Sequence, residues 1–361
     1  MAEQTIHIVG IGMMTPLGDS AKMTAAAVRS GTSALDISSI MNKRFEPMTM
    51  ALVPEDALPP LNDKLSKIPG LTSRQIRMLR LSQKPLIEAL GSIVPKGISV
   101  SLFLSVPEEI PECPTPVKDD FINQLHIQCM QQFDLKKSRL FKNGRASGIE
   151  AVEEAFNLLT TNTEQFILVG GCDTYLDLFL LETLDRNNRI LANGVMDGFA
   201  PGEGAAFLLL ASEKAIQKHK LISLSQICQP GCTKEAGHRY SDEPYKGDGL
   251  AEAITEALIP LEQEKVQTVL ASFNGENFFA KEWGVAFLRN HDSFEEKLRI
   301  EHPADCYGDP GAAAGPLLAG LATIGMQKKY IKEPCIVFCS SENEKRGALC
   351  MRSSVKNNLT L

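Results

Sequence analysis

The sequence predicts an α/β fold of two similar halves, packed into an internally duplicated five-layer αβαβα sandwich. Strands and helices alternate along the chain, which is typical of sheets covered by helices. The strands are nearly continuous apolar runs such as "GISVSLFLSV" and "CIVFCS", as expected for strands buried on both faces. The order of elements recurs after about residue 215. This recurrence predicts one half at 1–215 and a second at 216–361.

The composition excludes several classes of protein. A chain of 361 residues with a net charge of −7 is a poor partner for nucleic acid or an anionic membrane. No apolar run reaches the roughly 18 residues of a membrane span, and the first apolar run lacks the basic start of a signal peptide. Nine cysteines, several of them in strand-like runs, predict reduced thiols in a cytoplasmic protein. Neither CxxxC pair, Cys228/Cys232 or Cys335/Cys339, has a histidine at ligand spacing, so we expect no metal.

The first half opens on the strand "TIHIVGIGMM", which we expect to turn sharply at Gly10 and Gly12. A helix over "DSAKMTAAAVRSG" ends at Gly31. Residues 36–70 are rich in proline and predict an irregular covering loop, followed by the helix "SRQIRMLRLSQKPLIEALGS". The strand "GISVSLFLSV", a loop at 107–116 and a helix near "DDFINQLHIQCMQQF" come next. A turn at "FKNGRASG" leads to the helix "IEAVEEAFNLLTT" and the strands "QFILVGGCD" and "GAAFLLLAS".

The second half repeats this alternation with the strand "LISLSQIC", the helix "GLAEAITEALIPL", the strand "VQTVLASFN" and the helix "NFFAKEWGVAFLRN". The stretch "YGDPGAAAG" then leads into the helix "AAAGPLLAGLATIGMQKK", before the strands "PCIVFCSSE" and "RGALCMRSS". Glycine and alanine fill six of the nine positions of "YGDPGAAAG", so that backbones or a ligand can approach closely. The one acid in this stretch, Asp309, heads the helix that we expect to be buried.

Taken in order, six segments resemble the β-ketoacyl synthase branch of the thiolase-like family. They are "IVGIGMMTPLG", "SRQIRMLRLSQ", "ILVGGCDTYLD", "DGFAPGEGAAFLLL", "GHRYSDEPYKGDGLAEAITEAL" and "YGDPGAAAG". The resemblance implies the duplicated thiolase-like fold and a dimer, homomeric or heteromeric, built on the first half. It also implies the family's chemistry, which is decarboxylative carbon–carbon bond formation on acyl chains carried by a phosphopantetheine arm.

That chemistry uses a cysteine nucleophile, two histidines, a lysine and a glycine-rich gate, and the resemblance finds none of them here. Arg145 takes the place of the nucleophile, and a guanidinium cannot attack a thioester. Asn274 and Asp309 take the places of the two histidines; an amide cannot shuttle a proton, and a carboxylate would repel an enolate. Ala304 takes the place of the lysine, and "ENEKRG" at Glu342–Gly347 replaces the gate. We therefore expect no catalytic residue and no cofactor.

The substituted positions allow two arrangements. Arg145 and Asp309 can form a buried ion pair across the former cavity, which holds the two halves in register although desolvation offsets its Coulomb energy. Alternatively, Arg145 extends to solvent or to Glu150.

Three further residues carry groups that could do chemistry. Cys172 and Cys306 could each be a relocated nucleophile, but buried cysteines are usually inert packing residues. Neither has a histidine beside it in the sequence. His238 lies in a polar loop, where a solvated or loop-tying role is the simpler interpretation.

Three functions are compatible with these observations. The first is a catalytically inactive ketosynthase-like scaffold subunit, which pairs with another thiolase-like chain or acts as an adaptor for a bacterial secreted effector. For the adaptor role the analogy is to proteins of type VI secretion. The second is an acyltransferase or condensing enzyme with a rebuilt site. The third is a sensor of acyl chains or carrier proteins that binds without turnover.

Overall fold

The computed structural model describes residues 4–91 and 93–354. The strands are β1 Ile6–Met14, β2 Asp36–Met41, β3 Pro47–Met50, β4 Ser101–Ser105, β5 Asp134–Phe141, β6 Phe166–Thr174, β7 Glu203–Ser212, β8 Ser225–Lys234, β9 Val266–Ala271, β10 Phe294–Glu301, β11 Cys335–Ser340 and β12 Lys345–Ser353. The α-helices are α1 Ala21–Arg29, α2 Ser73–Leu90, α3 Phe121–Gln128, α4 Ser147–Thr160, α5 Leu178–Arg186, α6 Glu213–His219, α7 Asp248–Leu258, α8 Asn277–Arg289, α9 Ala304–Tyr307 and α10 Ala314–Gln327.

Ten of these strands form one mixed sheet, in the order β10-β9-β11-β12-β8-β1-β7-β6-β4-β5. The first half of the sheet is β1 and β4–β7, and the second half is β8–β12. Each half has the same arrangement: its third strand in sequence lies at the edge, followed by its second, fourth, fifth and first. The halves meet where β1 pairs antiparallel with β8. The duplicated α/β architecture predicted from the order of elements is therefore confirmed.

The five layers are the two halves of the sheet, the helices between them and the helices on the two outer faces. The buried helices α4 and α10 contact strands of both halves and form the middle layer. They approach each other at two glycines, where a Cβ on Gly315 would lie only 3.4 Å from the Gly148 Cα. On the outside, α2 packs on β1 and β7, while α7 packs on β8 and β12. Within the two described ranges, we find no helix that combines the length and the hydropathy needed to span a bilayer.

Strand β1 continues through Gly10 and Gly12, so the sharp turn predicted there is wrong. The chain turns only at 15–18, where two main-chain hydrogen bonds close the turn. The glycines are needed because α2 lies directly on the strand. A Cβ on Gly12 would lie 1.9 Å from the Pro85 carbonyl oxygen, and one on Gly10 would lie 2.1 Å from that of Ala89. Glycine permits this close approach because it has no side chain.

The covering segment at 36–70 is more regular than predicted. It contains the hairpin of β2 and β3, which pair antiparallel. The inner face of the hairpin carries Met48 and Met50, which are buried in a cluster with Leu180, Leu184 and Phe199. The alternation of buried and outward residues along so short a hairpin was hidden by the surrounding prolines.

Two largely buried ion pairs join segments that were singled out by their resemblance to the ketosynthase family. Arg74 of α2 donates to the Asp173 carboxylate at 2.9 Å, and Asp173 also accepts from the main-chain N–H of Ala312 at 3.0 Å. Arg77, one turn further on, forms two hydrogen bonds of 2.6 Å with the fully buried Glu203. These carboxylates tie α2 to β6 and β7, and Asp173 also fixes the turn that precedes α10. They hold the framework around the candidate site.

Candidate functional site

The candidate site lies beyond the carboxyl ends of parallel strands from both halves. Strand β4 is parallel to β6 in the first half, and β9 is parallel to β11 in the second. Ligand sites of open α/β sheets commonly lie at such strand ends. The four strand ends lead to Glu108, Tyr175, Asn274 and Glu342. Arg145 and Asp309 come from the segments that precede α4 and α10.

Arg145 is the centre of this site. Its side chain is 2% exposed, and its Nε lies 3.1 and 3.0 Å from the two Asp309 oxygens. Its Nη2 also donates to Asp309 and, at 3.2 Å, to the Tyr175 hydroxyl. Its Nη1 donates to Glu342 Oε1 at 2.9 Å. The predicted Arg145–Asp309 pair is therefore confirmed, and the alternative in which Arg145 extends to solvent or Glu150 is wrong.

Asn274 joins this pair from the second half. Its Nδ2 donates to Asp309 Oδ2 at 2.9 Å and to Glu276 Oε2 at 3.0 Å, while its Oδ1 accepts from the Glu276 main-chain N–H at 3.1 Å. Asp309 Oδ1 accepts in addition from the main-chain N–H of Gly311 at 2.9 Å. Arg145 and Asn274 are thus both bonded to Asp309, so the fold brings together the three residues that the resemblance singled out.

Two more arginines, which the sequence did not indicate, complete an ion network. Arg189 donates two hydrogen bonds of 2.7 Å to the Glu276 carboxylate and one of 2.8 Å to Glu342 Oε1. Arg239 lies 2.8 Å from Glu342 Oε2 and 3.2 Å from Glu276 Oε2. The network therefore has three cations and three anions, and its formal charges cancel: Arg145, Arg189, Arg239, Glu276, Asp309 and Glu342.

The central groups of the network stay charged despite burial. Burial alone would raise the pKa of Glu342, but the guanidinium groups of Arg189, Arg145 and Arg239 hold it well below its ordinary value. Burial would likewise lower the pKa of Arg145, and Asp309 with Glu342 raises it well above its ordinary value. Opposite charges in contact favour the ionised forms of both partners. Arg145 is consequently a fixed cation that cannot serve as a base or a nucleophile.

Glu108 positions the loop that carries Glu342. Its two oxygens accept from the main-chain N–H groups of Glu342 at 2.8 Å and Asn343 at 2.9 Å, and from Asn343 Nδ2 at 2.8 Å. Burial and the neighbouring Glu342 carboxylate raise the pKa of Glu108 to about 7, although these donors favour its charged form. The Glu108 carboxylate therefore holds the segment "ENEKRG" at Glu342–Gly347 in place. That segment in turn places the Glu342 carboxylate beside Arg145.

Replacing Glu108 by glutamine is expected to change how stability depends on pH. An acid whose pKa rises from 4.5 to about 7 on folding binds its proton more tightly in the folded chain. Its contribution is therefore fully present below pH 4.5 and is lost as the pH rises through about 7, by on the order of 3 kcal/mol. We expect the stability of the wild type relative to E108Q to fall between about pH 5 and pH 8 in urea-unfolding curves. Parallel curves for the two proteins would contradict this assignment.

The network leaves little empty space inside the site. The cavity beside Arg145, which Tyr175, Glu108 and Asp173 also line, measures about 10 Å³, room for about one water molecule. A cleft of about 670 Å³ opens outside it, lined in part by Arg189, Arg239 and other polar side chains. The outer members of the network therefore line the cleft, and its inner members line the small cavity.

The other candidate residues lie in environments that do not activate them. Burial and the nearby carboxylates of Asp305 and Glu301 raise the pKa of Cys306. Burial raises the pKa of Cys172 to about 12. A reactive thiolate needs the opposite, an electropositive surrounding that lowers its pKa. The ring of His238 accepts at Nδ1 from a main-chain N–H in its own loop at 3.3 Å, which confirms the loop-tying role.

Comparison with solved structures defines the class of fold: it is the thiolase-like fold of the β-ketoacyl synthases. The chain is similar to the ishigamide ketosynthase/chain length factor, with a TM-score of 0.76 and 14% identity over 98% of this chain and 100% of that one. A type II polyketide ketosynthase in complex with its acyl-carrier protein gives a TM-score of 0.75 at 14% identity, again over 98% and 100% of the two chains.

A β-ketoacyl synthase from Burkholderia phymatum gives a TM-score of 0.72 at 18% identity, over 98% of this chain and 100% of that one. No protein-family model matches the sequence, and none of the curated proteins matches it. The likeness to these solved ketosynthases establishes the fold.

Proposed function

We propose that this protein is a catalytically inactive member of the ketosynthase-like group and acts as a binding or scaffold subunit. One observation supports this above all: Arg145 and Asn274 both bond to Asp309 in a buried network beside a cavity of only about 10 Å³. Acyl transfer needs an activated nucleophile and space for the acyl group beside it. A guanidinium held by two carboxylates supplies neither.

The same network is suited to a structural role. Arg145 and Arg189 come from the first half, whereas Asp309, Glu276 and Glu342 come from the second, so its ion pairs cross between the halves. Desolvation offsets much of the attraction in such pairs, but removing one member leaves an uncompensated buried charge. The site therefore acts as a set of buried ion pairs that fixes the relative position of the two halves.

The two alternative functions have less support. A sensor of acyl chains needs an open apolar tunnel, and the interior of this site is polar and nearly full. An acyltransferase with a rebuilt site needs a thiolate, and the pKa values of Cys172 and Cys306 are both raised. No observation favours either alternative over the scaffold role.

Two kinds of partner fit a scaffold of this fold. One is another thiolase-fold chain, and a ketosynthase/chain length factor is among the structures that the chain resembles. The other is a secreted effector for which the protein is an adaptor, a route that rests on analogy with type VI secretion. Affinity purification from the native cells, followed by light scattering of the eluted complex, tests both routes. A stoichiometric complex with a different chain is the expected result, and a solitary homodimer would contradict it.

A further inference from the structure

The hairpin of β2 and β3 presents an unusual concentration of exposed apolar side chains. Phe45 at its tip is 88% exposed, and Ile37 and Met41 on its outward face are 70% and 55% exposed. Met196 is fully exposed in the loop to which the hairpin tip is hydrogen bonded through Gly194. Single exposed apolar residues are ordinary, whereas a group of large ones marks an interaction surface.

The backbone conformation of Phe45 is further evidence for an interaction surface. Its φ is +61°, a left-handed conformation that a bulky residue rarely adopts and that turns usually assign to glycine or asparagine. The turn is held rigidly, because Asn42 Oδ1 accepts from the main-chain N–H groups of Arg44 at 2.8 Å and Glu46 at 3.0 Å. A strained aromatic residue that packs against so little of its own chain points to a role outside the fold.

The tip also carries fixed positive charge. Lys43 Nζ donates to the Arg186 carbonyl at 2.9 Å, and Arg44 Nη1 donates to the Gly194 carbonyl at 3.0 Å. Among the described residues, neither side chain forms an ion pair with a carboxylate. The nearby Asp185 binds the main-chain N–H of Lys43 instead of its amine. Two oriented cations therefore precede Phe45, and Glu46 follows it, so the turn carries an excess of one positive charge in a chain whose net charge is −7.

We propose that this docking tip, formed by Lys43, Arg44, Phe45 and Met196, binds an acidic segment of a partner protein that carries large apolar side chains. The inference rests on the proposed role as a binding subunit, and it identifies one surface through which the subunit contacts its partner. Charge complementarity selects the partner, because acidic groups on it would neutralise cations that the chain leaves unpaired. A second copy meeting tip to tip would place like charges together. Two cations fall short of the clusters of about four to eight that anchor proteins to anionic lipid.

Photo-crosslinking tests this proposal in the cells that make the protein. Phe45→p-benzoylphenylalanine places a reactive group at the tip, and Ile259→p-benzoylphenylalanine is the matched control, since Ile259 is 68% exposed beside acidic residues. We expect Phe45→p-benzoylphenylalanine to crosslink to a peptide of another protein that is rich in Asp, Glu and apolar residues, and the control to miss that peptide. Crosslinks to a second copy, to lipid, to a basic segment or to nothing would overturn the proposal.

Two further variants separate docking from folding. Adding K43E and R44E to the photoreactive protein is expected to reduce the crosslink about tenfold, because like charges would then meet at the contact. F45G should lose the partner while its melting temperature stays the same or rises, since glycine relieves the left-handed strain. An unchanged crosslink in the charge-reversed protein, or a partner retained by F45G, would overturn the assignment. If the docking tip gives no crosslink while a partner still co-purifies with the wild-type protein, the scaffold role stands. Only the assignment of the docking tip as the contact surface is then rejected.

Discussion

Replacing Arg145 by methionine is expected to lower the free energy of unfolding by about 3–5 kcal/mol. Methionine fills much of the same space but leaves Asp309 and Glu342 without the cation that contacts both. Three carboxylates then face two arginines in a buried site. Urea unfolding followed by circular dichroism measures the loss, and R145K serves if R145M does not fold. Lysine keeps the charge but cannot reproduce the forked contacts of Arg145, so we expect an intermediate loss.

The matched control is an exposed arginine with a single ion pair. Arg139 is 54% exposed and pairs with Glu154 at the surface, so R139M should cost no more than about 1 kcal/mol. A loss in R145M as small as that in R139M would mean that the buried network does not hold the two halves together.

Neutralising Glu342 is expected to cost about 3 kcal/mol by itself, but much less in a chain that already lacks Arg145. E342Q removes the carboxylate that three arginines share, whereas R145M/E342Q restores equal numbers of cations and anions. We expect the double variant to be more stable than the sum of the single losses by about 1–3 kcal/mol. Unfolding curves of the four proteins of this double-mutant cycle give the coupling directly.

The pH dependence of the same cycle supplies a second readout. The pKa of Glu342 is lowered from 4.5 by folding, so its contribution is present above pH 4.5 and is lost as the pH falls below that value. The stability difference between the wild type and E342Q should therefore shrink in acid. R139M/E342Q should be additive, because Arg139 lies outside the network. Additive losses in R145M/E342Q would show that the two residues do not share one network.

The sequence predicted the buried strands well but, besides the short hairpin of β2 and β3, missed one strand of the ten-stranded sheet in each half. Strands such as β6 and β11 are continuous apolar runs buried along their whole length, and no other element gives that pattern so clearly. The missed strands β5, "DLKKSRLF", and β10, "FEEKLRIE", lie at the two edges of the sheet. Edge strands carry charged residues because unpaired edges otherwise attract other chains. Their sequences consequently look like solvated loops or helices.

The site was only partly predictable for a related reason. The resemblance singled out Arg145, Asn274 and Asp309, and long-range folding brings them together, with Arg145 and Asp309 separated by 164 positions. Arg189 and Arg239 lie in loops between elements, where no periodic pattern marks a residue as buried. Only the three-dimensional fold shows that these loops converge on the ends of the parallel strands. Charges that would ordinarily be assigned to the surface thus became the core of the site.

Intact-mass spectrometry after incubation with acyl-carrier thioesters of several chain lengths tests most directly whether the site has lost acyl chemistry. We predict that the mass of the protein stays unchanged at every chain length, because Arg145 fills the position that the resemblance assigns to the nucleophile. A ketosynthase with its catalytic cysteine, treated in parallel, should gain the mass of one acyl group. A stoichiometric acyl adduct on this protein, above all one that disappears in C306S or C172S, would contradict the assignment of an inactive scaffold.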